Sequence, residues 1–272
     1  MALHLPDMNP LRFRETSNDP DYSTLWPNYR NITQRVNNIP GMYATQFFKD
    51  HIVNRTITIQ FEETTSYDHN ITVYKYNTAV EVYQYYSTIY GTDITPSGWI
   101  SGDIYSYEFT PTESGVYYIL YESGGVQSDE FVVHSDILLK KYLVEISFYN
   151  TINDYGMIFY DDAVSKYTGL TFFTGILQNY DPRNETSAYT NDRGGEEILK
   201  STPMHAATLT LTNIHHSYIE NINLIFSCDR IEVNGIDYSR SDPLDIEPLE
   251  KSDLVNIKIK LVKRITSYYA ST

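Results

Sequence analysis

Hydrophobic and polar residues alternate along several short stretches between residues 45 and 135. Residues 56–62 and 70–76 alternate strictly, and similar stretches follow at 80–90, 103–110, 115–122 and 128–134. Alternation with a period of two is typical of half-buried β-strands, and turn residues recur here about every 8 to 12 positions. The pattern predicts an all-β sandwich over residues 41–137, within a chain that is all-β overall.

One stretch of this region resembles a known strand signature. Residues 113–119, Glu-Ser-Gly-Val-Tyr-Tyr-Ile, are similar to the acidic-x-Gly-x-Tyr-x-Cys segment of immunoglobulin strand F. The resemblance implies an Ig-like sandwich in which the hydroxyl of Tyr117 bonds to upstream backbone and Ile119 replaces the disulfide cysteine. Trp99 lies between two late strands and not on an early core strand, so an antibody-type domain is not expected.

The pattern changes near residues 136–140, where a second β-rich unit over 138–272 is predicted. Its expected strands are 143–148, 156–160, 170–177, 208–211 and 254–265, with a hairpin at 230–238 that turns on Asn234-Gly235. Residues 215–228 differ, because Tyr218, Ile222, Ile225 and Phe226 fall at helical spacing and predict one short helix.

Residues 1–40 contain five prolines and little periodicity, which predicts an extended N-terminal arm. Two interpretations remain open for it. It is either a frayed terminus or an arm that becomes ordered when its aromatic residues dock on a neighbouring subunit. In the second case Phe13, Trp26 and Tyr29 are the expected assembly contacts.

Charge is distributed unevenly along the 272 residues, whose formal net charge is −15. Residues 1–40 are neutral, residues 41–250 carry −19 and residues 251–272 carry +4. This acidic balance excludes a broad basic face for nucleic acid. Lys258 and Lys260, on the polar side of the last strand, are expected either to contact an acidic neighbour or to protect an exposed sheet edge.

Composition adds two further constraints. Twenty-six tyrosines are an unusual number, and tyrosine is common at wet interfaces. Cys228 is the single cysteine, so an intrachain disulfide is excluded, and it is expected to be a buried structural thiol. No stretch has the length or hydrophobicity of a membrane span or signal peptide.

The sequence gives only weak evidence for a catalytic or metal-binding site. The chain lacks a nucleophile elbow and a phosphate-binding loop, and the adjacent His215 and His216 point too far apart on a helix to share a metal. We therefore expect no enzymatic activity, cofactor or metal. The weaker alternatives are acidic pairs for glycoside hydrolysis and a calcium loop over residues 181–192. Their residues are Glu62-Glu63, Asp161-Asp162 and Glu196-Glu197 for the pairs, and Asp181, Asn184, Glu185 and Asn191 for the loop.

Three strings in the second unit together resemble structural proteins of crAss-like and related Bacteroidetes-infecting tailed phages. They are residues 154–161, residues 189–203 leading into 207–211, and residues 225–238. The resemblance implies a virion protein, assembled in the host bacterial cytoplasm, that is a ring subunit of the head-to-tail connector or tail tube. It implies a closed ring, with 12 copies favoured over six, and portal, neck or tail proteins as neighbours. Genome DNA would pass without sequence-specific binding, and no membrane is involved.

Two other functions remain open. The first is a tail fibre or tail-tip module that binds a receptor or glycan through the aromatic residues Trp99, Tyr83, Tyr85, Tyr86 and Tyr90. The second is a carboxylate hydrolase that degrades surface polysaccharide, with Asp161 or Glu196 as its acidic group.

Overall fold

The structure is a computed structural model of the chain. It describes residues 3–4, 8–11, 13–15, 49–63, 69–96, 98, 102–121, 125–135, 142–153, 157–159, 167–190, 196–249 and 253–264. At residues 3–4, 14–15, 179–190 and 196–204 the backbone alone is described.

Two sheets form the part of the molecule that precedes residue 137. Their strands are Leu3–His4 (β1), Phe13–Glu15 (β2), Lys49–Ile52 (β3), Ile57–Glu63 (β4), Asn70–Asn77 (β5), Val82–Tyr90 (β6), Thr92–Asp93 (β7), Asp103–Phe109 (β8), Gly115–Tyr121 (β9), Val126–Ser128 (β10) and Phe131–His134 (β11). The first sheet has the order β1-β4-β8-β7. In the second sheet, β9 is the central strand. It pairs with β5 along one edge, and β6 pairs with β5. Along its other edge β9 pairs with β10, which pairs with β2, and with β11, which pairs with β3.

The inward faces of these two sheets share one core. Ile57, Ile59 and Phe61 of β4 are fully buried, as their alternation predicts, and Phe61 stacks on Tyr121 of β9 with ring centroids 5.4 Å apart. The hydroxyl of Tyr117 donates to the carbonyl of Glu113 at 2.8 Å, the upstream backbone bond that was expected. The all-β prediction is confirmed, whereas the immunoglobulin relationship stays a prediction.

The second unit is one sheet that closes on itself. Its strands are Leu143–Tyr149 (β12), Gly169–Thr190 (β13), Glu196–His215 (β14), Arg230–Val233 (β15), Ile236–Arg240 (β16), Asp245–Pro248 (β17) and Leu254–Lys263 (β18). The order runs β14-β13-β12-β15-β16-β18, and β18 pairs again with β14. The short β17 pairs with β18 beside β16. Closure removes free edges from the body of this sheet.

The predicted helix and hairpin of this unit are both present. A 3₁₀ turn, His216–Tyr218, leads into the α-helix Ile219–Ile225 (α1). The four residues at helical spacing are buried in the core of the closed sheet. Asn234 and Gly235 have φ values of 52° and 75°, the left-handed conformations that a type I′ turn requires.

Three strand predictions differ from the structure. Of the strand expected at 156–160 only residues 157–159 are described, and among them residue 157 makes an isolated bridge while 158 and 159 belong to no strand. The strand expected at 170–177 is the first part of β13, and the strand expected at 208–211 lies in the last part of β14; β13 and β14 are 22 and 20 residues long. The weaker alternative of a calcium loop over residues 181–192 loses support, because Asp181, Asn184 and Glu185 lie within a strand.

The described N-terminal residues pack on their own chain. β1 pairs with β4, and β2 pairs with β10. Met8 is fully buried in the core of the closed sheet, and Leu11 is buried in the core of the first unit. This segment therefore contributes to both cores, while residues 16–40 of the predicted arm lie outside the described residues.

Three buried amide side chains join the two units. The amide of Gln60 donates to the carbonyl of Ile158 at 3.0 Å and accepts from its backbone N–H at 2.8 Å. The amide of Asn9 bonds in the same two-point manner to the backbone of Gln60, at 2.9 Å for both bonds. Asn221 of α1 donates to the carbonyl of Asn9. The amides of Gln60 and Asn9 thus bond to backbone as a neighbouring strand would.

We predict that Gln60→Ala lowers the free energy of unfolding by about 3 kcal/mol. The substitution leaves the N–H and carbonyl of Ile158 buried without their partners, and each such group costs roughly 1–3 kcal/mol. Urea unfolding monitored by tryptophan fluorescence measures the change. Gln84→Ala is the matched control, since Gln84 is exposed and bonds only to Asn77; a loss equal to that of the control contradicts the prediction.

Candidate assembly surfaces and the polar junction

The ends of β13 and β14 extend beyond the closed sheet as a two-stranded ribbon. β12 covers β13 only over residues 169–174, and β18 covers β14 only over residues 206–215. From Asp181 to Thr190, β13 pairs with β14 alone, and β14 does so from Glu196 to His205. We call residues 179–190 and 196–205 the ribbon. Both of its outer edges are unpaired in the described part of the chain.

The sequence of the ribbon gives it no hydrophobic face to bury. Its strands read NYDPRNETSAYT and EEILKSTPMH, in which apolar residues are few and do not alternate. An isolated two-stranded hairpin is marginally stable in water, and a third strand or an apolar face is needed for stability. Among the residues that the structure describes, the ribbon is thus an element without a third strand or an apolar face.

A second unprotected edge lies on the first unit. Among the described strands β6 pairs with β5 alone, and its nine residues contain neither a charge nor a proline. The exposed strand β17 has Asp245, Glu247 and Pro248, which are the residue types that prevent edge-to-edge association. Of the features that prevent edge-to-edge association, β6 has only a bulge, between residues 85 and 87. β6 is therefore a second candidate contact surface.

Tyrosines cover the outer face of the sheet next to β6. Tyr74 stacks on Tyr118 with centroids 4.9 Å apart, and Tyr83 meets Tyr118 edge-on at 4.7 Å. Tyr85 is 64% exposed, and Tyr90 at the end of the strand is 75% exposed. Burial raises the pKa of Tyr118 to about 12, so its hydroxyl stays protonated at neutral pH. Tyr86 instead faces inward, where its ring meets Tyr117.

A cluster of polar groups lies where β3 meets β11 and β13. Asp50 bonds to His134 Nε2 at 2.7 Å and accepts from the hydroxyl of Thr174 at 3.1 Å. Both Asp50 and His134 are buried. Asp50 therefore bonds to a side chain of each unit, His134 of β11 and Thr174 of β13, and the cluster joins the two units.

Two neighbours in β3 are titratable and deeply buried. Lys49 Nζ lies 2.9 Å from the centroid of the Phe173 ring, and burial holds the pKa of this amine well below its usual range against the raising effect of Asp50. The ring of His51 bonds to the carbonyl of Arg55 at 2.7 Å. Burial lowers the pKa of His51 from 6.5 to about 4, so the imidazole is neutral at pH 7.

One of the acidic pairs that was considered for hydrolysis contains a buried carboxylate. Glu63 accepts hydrogen bonds from the hydroxyls of Tyr121 at 2.7 Å and Tyr107 at 3.2 Å. Its other oxygen lies 3.1 Å from Nδ1 of His69. Burial, followed by the charge of Glu63, raises the pKa of Tyr107. Glu63 is committed to internal bonds, which favours a structural role over hydrolysis.

Two of the predicted assembly contacts are paired within the chain. Lys258 lies 2.5 Å from Glu247 of β17, and Lys260 lies 3.5 Å from Asp242. Both pairs are exposed, and such pairs contribute little to stability. Phe13 packs edge-on against Phe61 at 5.0 Å and is half-buried in the first unit. These three residues therefore contact their own chain.

The other candidate residues are either undescribed or structural. Cys228 is buried, as expected, in the core of the closed sheet. His215 caps the 3₁₀ turn by accepting from Ser217, and His216 is exposed. The remaining candidates, Trp26, Tyr29, Trp99, Asp161, Asp162 and Asn191, lie outside the described residues, as do the side chains of Asp181, Asn184, Glu185, Glu196 and Glu197.

Sequence reasoning missed the ribbon and the junction. No single segment signals the ribbon, since its strands are polar and contain prolines. Gln60 offered a weak signal, because it is a lone amide on the polar face of a strongly alternating strand. Its burial depends on a contact with residue 158, which local patterning does not contain.

Metal-binding geometry, membrane-spanning helices and similarity to known proteins do not assign a function to this chain. Within the described residues, no group of three His, Cys, Asp or Glu side chains is arranged to hold a metal ion. No helix in the described part of the chain is long and apolar enough to cross a membrane. No protein-family model matches the chain, and no curated protein matches it significantly.

We predict that His51 makes the protein lose about 3 kcal/mol of unfolding free energy as the pH falls from about 6.5 to about 4. The pKa of His51 is lower in the folded state, so between pH 6.5 and pH 4 the unfolded chain binds a proton at His51 and the folded chain does not. The contribution of His51 to the free energy of unfolding is therefore fully present above pH 6.5, and it is lost as the pH falls to about 4.

The measurement is urea unfolding at several pH values. His51→Phe should flatten this part of the pH profile, while His216→Gln, at an exposed histidine, should leave it unchanged. Equal pH profiles for His51→Phe and the unchanged protein would show that His51 is not responsible.

Proposed function

We propose that this chain is a non-enzymatic structural protein of a phage virion, a subunit of a closed ring in the head-to-tail connector or tail tube. The ribbon is the observation that carries the proposal. It extends away from a sheet that is already closed, and the described part of the chain supplies no third strand. A neighbouring subunit is the simplest source of the contacts that this element lacks.

The charge distribution supports a role around DNA without binding to it. Residues 41–137 contain 13 acidic and three basic side chains. The three basic residues are buried or paired: Lys49 is buried, Arg55 lies 3.3 Å from Glu145, and Lys75 pairs with Glu113. An acidic surface repels the phosphate backbone, so a genome passes such a surface without adhering to it.

The two-unit arrangement fits a rigid assembly subunit. Gln60 and the cluster at Asp50 fix the units to each other through buried polar bonds, so a load on one unit reaches the other. The resemblance of residues 154–161, 189–203 and 225–238 to crAss-like phage proteins supports the same function. The bond from Tyr117 to Glu113 supports an Ig-like first unit as an accessory module.

A second candidate function has one observation in its favour. The exposed tyrosine face around Tyr85 and Tyr90 offers aromatic surface on which the apolar faces of sugars stack. In that case the chain would be a tail-fibre or tail-tip module that binds a host glycan. The edge of β6 and the tyrosine face are equally compatible with contact between subunits.

We predict that the purified chain, at high concentration or with its portal and tail partners, forms closed rings whose mass is a multiple of six chains. Native mass spectrometry gives the copy number, and negative-stain images show whether the particles are closed. A chain that stays monomeric under all these conditions contradicts the proposal, and a trimer favours the fibre.

We predict that Tyr85→Ala leaves ring formation unchanged if the tyrosine face binds glycan, and weakens it if the face is a subunit contact. Tyr85 is exposed and its hydroxyl makes only a local bond to Thr88, so the fold should tolerate the change. A glycan array compares the binding of both proteins. If Tyr85→Ala loses glycan binding but still forms rings, the tyrosine face binds glycan. If it keeps glycan binding but forms fewer rings, the face is a subunit contact.

A further inference from the structure

The ribbon has two free edges that differ from each other. One is the outer edge of β13, and the other is the outer edge of β14. The strands are antiparallel, so the β14 edge of one copy can add to the β13 edge of the next copy and continue the same antiparallel pattern. Contact between unlike surfaces is heterologous, and repeated rotation closes it into a ring.

Two prolines limit where this pairing can occur. Pro182 and Pro203 lie near the base of the ribbon, and proline cannot donate to a ladder. Beyond them, residues 183–190 of β13 and 196–202 of β14 contain no proline. These stretches are eight and seven residues long, which is longer than an average strand.

The sequence of the ribbon suits a sheet with water on both sides. Its residues are mainly polar and charged, with two basic and four acidic side chains in 179–190 and 196–205, and they offer no core face. A cylinder of ribbons has such an environment, since one face lines a bore and the other faces outward. A ribbon that packed against another domain would be expected to carry an apolar stripe.

Strand geometry then decides between the two copy numbers. Each copy contributes two strands, with a spacing of about 4.8 Å and a tilt of about 40° in closed sheets. Six copies give a cylinder about 24 Å across, and twelve copies give one about 48 Å across. Side chains on opposite walls occupy about 10 Å of this. The bores are therefore about 14 Å and about 38 Å.

Only the larger bore admits duplex DNA. The two grooves of the duplex are together about 16 Å deep, so the duplex is wider than the bore of the six-copy cylinder. We propose that the ribbons of twelve copies pair edge to edge, β13 to β14 of the next copy, and form a cylinder that lines the DNA passage. This inference rests on the proposed ring function and names the contact that closes the ring.

The first experiment removes the ribbon and leaves the closed sheet intact. In this variant residues 182–205 are replaced by a two-residue Asn-Gly turn between Asp181 and Ala206, which are paired in the sheet. The unchanged chain should form rings of twelve, and the truncated variant should remain monomeric with a β-type circular dichroism spectrum and a cooperative thermal unfolding transition, which show that the closed sheet still folds. Gln84→Lys, which places a charge on the exposed edge of β6, is the matched control and should still form rings.

The second experiment locates the contact. Thr186→Cys in β13 and Ser201→Cys in β14 are made in separate chains with tags of different size, co-expressed, and treated with a short bis-maleimide. The buried Cys228 leaves little background. The mixture should give a heterodimer band, and each variant alone should give none, because heterologous pairing never brings equal positions together.

The possible outcomes separate this inference from the function on which it rests. Rings that survive truncation of the ribbon, rings dissolved by Gln84→Lys alone, rings of six, or homodimer bands from a single variant overturn the ribbon contact and leave the ring function in place. If the mixed cysteine variants give no heterodimer band and the rings are not affected by truncation, the ribbon contact is also overturned and the ring function remains. An unchanged chain that never forms rings overturns both.

Discussion

The two units of this protein depend on buried amide groups that substitute for backbone. Gln60 lies on the outward face of β4, and its side chain bonds to both the N–H and the carbonyl of Ile158. Asn9 bonds in the same way to the backbone of Gln60, and Asn221 extends the chain of bonds to α1. These bonds lie in a site without access to water, where unpaired polar groups are costly. The relative position of the units, and hence of the ribbon, follows from them.

This rigid body contrasts with the ribbon that it carries. The closed sheet buries a large apolar core, to which Met8 contributes from the N-terminal segment. The ribbon continues two strands of that sheet past the point where any other strand covers them. Stability is thus concentrated in the body, and the ribbon acquires it through association. Such a division is expected of a subunit whose working form is an assembly.

Local patterning predicts much of this fold and little of its contact surfaces. The alternation around Ile57 to Phe61, the helical spacing near Ile222 and the Asn234-Gly235 turn each encode an element in adjacent residues, and each is present. The ribbon and the site around Ile158 are stabilised by partners far along the chain, so no window of sequence contains their signal. The lysines of β18 show the related problem for charge, since their acidic partners are on neighbouring strands.

Hydrogen–deuterium exchange of the ribbon tests the central claim most directly. Residues 183–190 and 196–202 are compared in the dilute chain and in the assembled particle, with β12 as the internal reference. If neighbouring copies complete the ribbon, its amides exchange rapidly in the dilute chain and become as protected as those of β12 on assembly. Rapid exchange of the ribbon in both states would contradict the claim.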